Sequence, residues 1–268
     1  YICMKTENIK LAIFDIDDTL IKRGKIHIEE SALKGINKLK EKGIEILIAT
    51  GRAYYFIQDD VHDSIKPNYY VTTNGASVYD ENKNIIFKIP MVLEEVQALV
   101  RYAKENHLGV ALKMYDNMPV YNDLNIFKTV YMQGSPKQHI LEDLTNIDQV
   151  DMAPLGIFMM GDENLIETSR PLSPNGFYAK AYENAYDIYS KEAGKIKGIE
   201  FVLNQLDISW DEAIAFGDAA NDMEMIQKAH IGVAMGNSTF SLKEKADYTT
   251  SDIEDDGIYR ALKHFNLI

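Results

Sequence analysis

Asp15 and Asp17 stand two residues apart in Lys10-Leu11-Ala12-Ile13-Phe14-Asp15-Ile16-Asp17-Asp18-Thr19-Leu20, directly after a short apolar run that reads as a buried strand. Two carboxylates so placed suit an aspartate nucleophile with its own acid/base partner. In an open α/β sheet, ligands bind beyond the carboxyl ends of the strands, so this pair would lie where a substrate arrives. Successive residues of extended chain point to opposite faces, and the backbone must therefore turn at once if both are to serve one site. Asp18-Thr19 supply turn-forming side chains for that purpose. A solvated acidic loop is the plainer alternative. A calcium loop fails, because it needs Gly at its sixth position and a ligating Glu at its twelfth, where this chain has Leu20 and Ile26.

Three further segments could join this chemistry. Gly217-Asp218-Ala219-Ala220-Asn221-Asp222 also follows a short apolar strand and opens a helix. Mg²⁺ takes one or two protein carboxylates plus waters and substrate phosphate, and Asp218 is the candidate to share such an ion with the first strand's carboxylate. The competing reading makes Asn221 or Asp222 a helix N-cap without a catalytic role. Thr50-Gly51-Arg52 ends a strand and leads into a helical pattern, so backbone N–H groups and the Thr50 hydroxyl could hold a phosphate oxygen, or the segment is a plain turn. In Glu192-Ala193-Gly194-Lys195-Ile196-Lys197-Gly198, Lys195 and Lys197 are alternatives for a site cation, with solvated surface lysines as the default.

The elements that must position these residues alternate between β-rich runs and helical periodicity, which predicts an α/β fold with a doubly wound, mostly parallel sheet. The first unit pairs Lys10 to Phe14 with a helix over Ser31 to Lys42 closed by Gly43, then strands at Ile44 to Ala49 and Tyr69 to Thr72, with a helical pattern from Tyr54 to Ile65. Near Asn74-Gly75 the pattern changes to hairpin structure, then a helix over Val92 to Asn106 and strands near 110–114, 155–160, 177–181 and 186–189. From Lys195 the βα alternation returns: a helix to Leu206, strands at Ala213 to Phe216 and Ile231 to Ala234, and helices at Asp222 to Lys228 and Ile258 to Phe265. The predicted organisation is a core of residues 1–82 and 190–268 interrupted by an α+β insert over 83–189.

With 46% hydrophobic and 26% charged residues, the 268-residue chain has the makeup of a soluble globular protein, long enough for one large or two ordinary domains. The single cysteine, Cys3, excludes an internal disulfide, and no apolar stretch approaches the roughly 18 residues of a membrane span. The N-terminal apolar run is short and closed by Asp15, unlike a secretory signal, so a cytoplasmic location is expected and the Asn237-Ser238-Thr239 sequon is read as accidental. A net charge of −13 argues against nucleic acid or an anionic membrane as partner. An acidic protein acts on phosphate esters only if a bound cation and a few placed basic groups invert the local field.

Jointly, the four segments resemble the haloacid dehalogenase (HAD) superfamily of phosphotransferases, and within it the Cof-like phosphatases with a type IIB cap. Asp15 to Leu20 is similar to the family's first motif, Thr50-Gly51-Arg52 to its second, Lys195 to its third and Gly217-Asp218 through Asn221-Asp222 to its fourth. Gap-free alignment back from the last motif favours Lys195, with Lys197 as the fallback. Two departures stand out: Asp18 replaces the more usual Gly, and the insert is compact for this cap type. The resemblance implies a Mg²⁺-dependent phosphatase of small phosphorylated metabolites, such as sugar phosphates or phosphorylated cofactors. It implies Asp15 as nucleophile, Asp17 as acid/base, and Mg²⁺ held by Asp15, the carbonyl of Asp17, Asp218 and, directly or through water, Asp222. Thr50, Gly51, Lys195 and Asn221 would bind the phosphoryl group, and the insert would close over the site and contact the leaving group.

The alternatives are a phosphomutase on the same core, which would retain the phosphoryl group on an isomerised sugar, and a non-catalytic ligand-binding member, against which the intact Asp15 and Asp17 pair counts. A receiver-type signalling domain also groups acids, a Thr and a Lys around Mg²⁺, but is far smaller. Substrate, pathway and oligomeric state are not legible at this level.

Overall fold

The computed structural model describes residues 8–268, and Cys3 lies outside them. In chain order the strands are β1 (Leu11–Phe14), β2 (Glu45–Ala49), β3 (Tyr69–Thr72), β4 (Ser77–Asp80), β5 (Ile85–Lys88), β6 (Gly109–Lys113), β7 (Met118–Asn122), β8 (Leu141–Asp143), β9 (Gly156–Met160), β10 (Gly176–Tyr182), β11 (Ala185–Ser190), β12 (Ala213–Gly217), β13 (Ile231–Ala234) and β14 (Tyr248–Thr249). They build two sheets, one of eight strands in the order β14-β13-β12-β1-β2-β3-β4-β5 and one of six in the order β10-β11-β9-β6-β7-β8. The chain divides into two compact units, the first comprising Tyr1–Gly51, Ile57–Ile86 and Lys195–Ile268, the second Arg52–Phe56 and Phe87–Gly194.

In the first unit, β14 through β3 pair in parallel and β4 turns back antiparallel on β3. Central strands covered on both faces read as unbroken apolar runs, and Leu11 to Phe14 and Ala213 to Phe216 are wholly buried. Phe14 and Phe216, partners in the β1–β12 register, stack with ring centroids 4.9 Å apart. The Glu30–Glu41 helix, α1, buries Ala32, Gly35, Ile36 and Leu39, and Gly43 follows it with φ 77°. Gly35 admits the Gly257–His264 helix so closely that a Cβ there would lie 2.9 Å from Leu262 Cδ1.

In the second unit, alternation along the strands sorts side chains to two faces. Val110, Leu112, Ile157 and Met159 pack with Val96, Leu99 and Val100 of the Leu93–Glu105 helix, whereas Ala111, Val120, Phe158 and Met160 pack with Phe127 and the half-buried Tyr55, Phe56 and Tyr131. Strands β7 and β8 were not expected from sequence. Pro119 argues against a strand, yet it sits in β7 opposite Glu142 of the short β8, beside a register shift in the β6–β7 pairing.

The helical pattern read over Tyr54 to Ile65 is not one helix. It breaks into a 3₁₀ turn at Tyr54–Phe56 and a single wide turn at Val61–Ile65. The first belongs to the second unit and Ile57 onward to the first, so two different cores claim the two ends and override the local period. The hairpin expected after Asn74-Gly75, Ala76 to Tyr79 and Ile85 to Ile89 joined at Asp80 to Asn84, corresponds to the neighbouring strands β4 and β5, where the Asp80 N–H donates to the Asn84 carbonyl at 3.0 Å. Strand β4 also pairs antiparallel with β3 across Thr73–Gly75. No helix among the described residues is long and apolar enough to cross a membrane.

Candidate active site

The parallel register places the ends of β1 and β12 side by side, with Phe14 opposite Phe216 and the Asp15 N–H donating to the Phe216 carbonyl at 3.1 Å. Asp15 therefore leaves its strand level with Gly217, and Asp218 follows one residue later. Beyond Asp15 the chain folds back sharply: the N–H groups of Leu20 and Ile21 both donate to the Ile16 carbonyl at 2.9 Å, and Asp18 turns through φ 57°. That left-handed residue is where Gly, Asn or Asp is tolerated. The turn keeps Asp17 near Asp15, close enough for its charge to help raise the Asp15 pKa.

Lys195 begins the Lys195–Leu206 helix and is buried, its ammonium donating to Asp15 Oδ1 at 2.7 Å and to Asp222 Oδ1 at 2.6 Å. The other Asp222 oxygen accepts the backbone N–H groups of Asp218 (3.0 Å) and Ala219 (3.1 Å), closing the loop after β12. Thr19 Oγ1 reaches Asp218 Oδ1 at 3.4 Å. Gly217 is needed for this closure, since a Cβ there would lie 2.5 Å from Asp222 Cβ. Gly217→Ala is expected to cost about 1–3 kcal/mol of stability by overpacking, read as a lower urea midpoint, with reduced turnover because Asp222 is displaced.

One carboxylate oxygen each from Asp15, Asp218 and Asp222 lie within 4.8 Å of one another. Three carboxylates face one ammonium, an excess of negative charge in a desolvated place. Burial consequently lifts the Asp15 pKa well above its usual range despite Lys195, and lifts Asp218 to about 7, with Asp222 and Asp18 adding to the effect. The Lys195 pKa moves upward because the attraction of Asp15 and Asp222 outweighs its desolvation. A hard divalent cation with oxygen preference fits this donor set and would supply the missing positive charge.

Thr50 follows β2 at the same end of the parallel strands, buried, its N–H donating to the Val71 carbonyl at 2.8 Å. Gly51 follows, and Asn221 is exposed on the turn that carries Asp222. Lys197, the alternative lysine, is exposed. The structure thus groups Asp15, Lys195, Asp218 and Asp222 tightly, sets Asp17 beside them, and leaves Asn221 at the rim.

Two contributors are read from sequence only as turn residues and given no part in the site. Thr19 is one. The other is the Thr73-Asn74 turn, where both residues have positive φ (49° and 52°), the Asn74 N–H donates to the Thr50 carbonyl at 3.1 Å, and the Asn74 amide lies 3.0 Å from where a Gly51 Cβ would be. A left-handed β-branched residue costs about 1–3 kcal/mol, and such strain collects at functional sites. Its signal is the position of Thr72-Thr73-Asn74-Gly75 at the end of a third parallel strand, where the sequence reading marks only the change to hairpin structure.

The family model for haloacid dehalogenase-like hydrolases matches residues 12–262. A Streptococcus pyogenes protein provisionally named as a bifunctional phosphatase and peptidyl-prolyl cis-trans isomerase is 32% identical over 98% of this chain, which spans only 55% of that relative's length. A Bacillus subtilis 5-amino-6-(5-phospho-D-ribitylamino)uracil phosphatase is 26% identical over 97% of both chains. The solved structure of the HAD subclass IIB sugar phosphatase BT4131 superposes with a TM-score of 0.83 at 27% identity, covering 97% of this chain and 100% of that one. The chain belongs to the haloacid dehalogenase-like hydrolases and is a phosphatase of their Cof-like, subclass IIB branch.

Proposed function

We propose that the protein is a Mg²⁺-dependent phosphatase of small phosphorylated metabolites that works through an aspartyl-phosphate at Asp15. The observation that carries this reading is the Lys195 ammonium bridging Asp15 and Asp222 at 2.7 and 2.6 Å, with Asp218 in the same cluster. The names of similar proteins, a sugar phosphatase and a phosphatase of a ribityl-aminouracil phosphate, point to sugar phosphates and phosphorylated cofactor precursors as the substrate class.

Asp15, the carbonyl of Asp17, Asp218 and Asp222 would hold the ion. Bound there, Mg²⁺ supplies charge neutralisation between carboxylates and phosphoryl oxygens. Lys195 takes one Asp15 oxygen, and the other attacks phosphorus. As the Asp15–phosphorus bond forms and the ester bond breaks, Asp17 gives its proton to the leaving oxygen. Asp17 then takes a proton from water, the water oxygen attacks phosphorus, and phosphate leaves Asp15. Thr50, the N–H groups at Gly51, Lys195 and Asn221 bind the phosphoryl oxygens through these steps. Enzymatic acceleration of monoester hydrolysis reaches about 10²¹-fold, so positioning, covalent and electrostatic contributions are all required.

The test is hydrolysis of 4-nitrophenyl phosphate with Mg²⁺ and with EDTA, followed by a panel of phosphorylated sugars and cofactors. Release of phosphate only with Mg²⁺ is expected, and full activity in EDTA would overturn the metal assignment. Asp17→Asn is expected to lower kcat by about 10²–10⁴, the usual share of general acid/base catalysis. Mg²⁺ at about a hundred times its Kd should add roughly 2.7 kcal/mol of stability, seen in a thermal melt as a rise of about 5–10 °C. Identical melts in Mg²⁺ and EDTA would count against an ion among these carboxylates.

A further inference from the structure

The turn after the nucleophile carries three cations in four residues, Lys22, Arg23 and Lys25, in a chain whose net charge is −13. Their partners differ. Lys22 and Lys25 both pair with Glu254, and Lys25 also with Glu29, so their charge is answered away from the acidic cluster. Arg23 instead pairs with Asp18, Nε to Oδ2 at 3.5 Å, and its backbone N–H donates to Asp18 Oδ1 at 2.8 Å. Asp18 is itself fixed from the other side. Its carbonyl accepts from Asn237 Nδ2 at 2.7 Å, and Asn237 Oδ1 accepts the Ile253 N–H at 3.0 Å. The guanidinium is nonetheless 77% exposed, and the residue that follows its Asp18 partner, Thr19, reaches Asp218 Oδ1 at 3.4 Å, which ties this turn to the acidic cluster. An arginine held through Nε keeps both terminal nitrogens for a second oxyanion.

Resting on the phosphatase reading, we propose that Arg23, positioned by Asp18, is a specificity-determining cation that binds a second anionic group on the substrate, a phosphate or a carboxylate, beside the phosphoryl group at Asp15. The Asp18 side chain that departs from the more usual Gly is what makes this possible. Gly would allow the same left-handed turn but offers no carboxylate to hold the guanidinium. Asp18 acts here as a positioning residue and touches no reacting atom. The preferred substrates are phosphate esters or anhydrides whose remainder is itself anionic.

Binding of non-hydrolysable probes separates this inference from turnover. In excess Mg²⁺, the protein is titrated calorimetrically with methylphosphonate, which has one anionic group, methylenediphosphonate, which adds a phosphonate, and phosphonoacetate, which adds a carboxylate. The two double anions should bind about tenfold more tightly than methylphosphonate, as expected for one charge-assisted contact. Arg23→Ala should remove most of that preference, Arg23→Lys should keep part of it, and Asp18→Gly should reduce it without deepening the loss when combined with Arg23→Ala. Loss confined to methylenediphosphonate assigns the contact to phosphate, and loss confined to phosphonoacetate assigns it to carboxylate. Equal weakening of all three probes, an undiminished preference in Arg23→Ala, or no preference in the wild type would overturn the inference. Failure to hydrolyse any ester would count against the phosphatase reading instead.

Discussion

Asp15→Asn is expected to lower kcat by about 10⁶, the size of loss seen when the nucleophile of a covalent mechanism is removed, while the protein stays folded. The amide has the shape of the carboxylate but cannot displace the ester oxygen from phosphorus. Stability should survive because Asp15 is buried among like charges and its ionised form is disfavoured there. Asparagine removes one of the crowded charges yet keeps an acceptor oxygen for Lys195, which retains Asp222 at 2.6 Å. The melting temperature should change by no more than about 3 °C, corresponding to roughly 1 kcal/mol in a chain of this size. Steady-state hydrolysis and a thermal melt on the same preparation decide the matter, and wild-type turnover would remove Asp15 from the nucleophile's role.

Lys195→Met should damage both stability and activity. Methionine matches the length of the lysine stem but leaves Asp15 and Asp222 buried without the ammonium between them. Removing one partner of a buried ion pair costs about 3–5 kcal/mol, chiefly through the charge left behind. The urea midpoint should fall accordingly, and Mg²⁺ should recover part of the loss by supplying positive charge to the same carboxylates. Loss of a preorganised donor to the phosphoryl group should also reduce kcat by about 10²–10³. A variant as stable and as active as wild type would show that the lysine does not hold this cluster together.

Much of the sheet could be read from residue order. Tyr69 to Thr72 and Ile231 to Ala234 are strands over the very residues expected, and the helix from Lys195 ends at Leu206 as its pattern indicated. Such segments are legible because a strand covered on both faces must be continuously apolar and a helix must repeat its buried face every 3.6 residues. The broken Tyr54 to Ile65 segment and the Pro119 strand were not legible, because their conformations answer to packing partners distant in sequence. The Thr73-Asn74 turn escaped for a related reason: its importance lies in contacts with Thr50 and Gly51, two dozen residues away.

What the sequence alone determined here is which chemistry-bearing residues follow strands or open helices, and hence that Asp15, Thr50 and Asp218 lie beyond the carboxyl ends of parallel strands. That follows from local periodicity and the one-way run of βα units. Only the tertiary structure decided that Lys195, favoured over Lys197 by the family resemblance, bridges Asp15 and Asp222 in a buried place, that Asp222 ties down the Asp218 loop, and that Asp18 pairs with Arg23. Those are electrostatic contacts over a few ångströms between residues up to 180 positions apart, and their energy depends on burial that no single segment can specify.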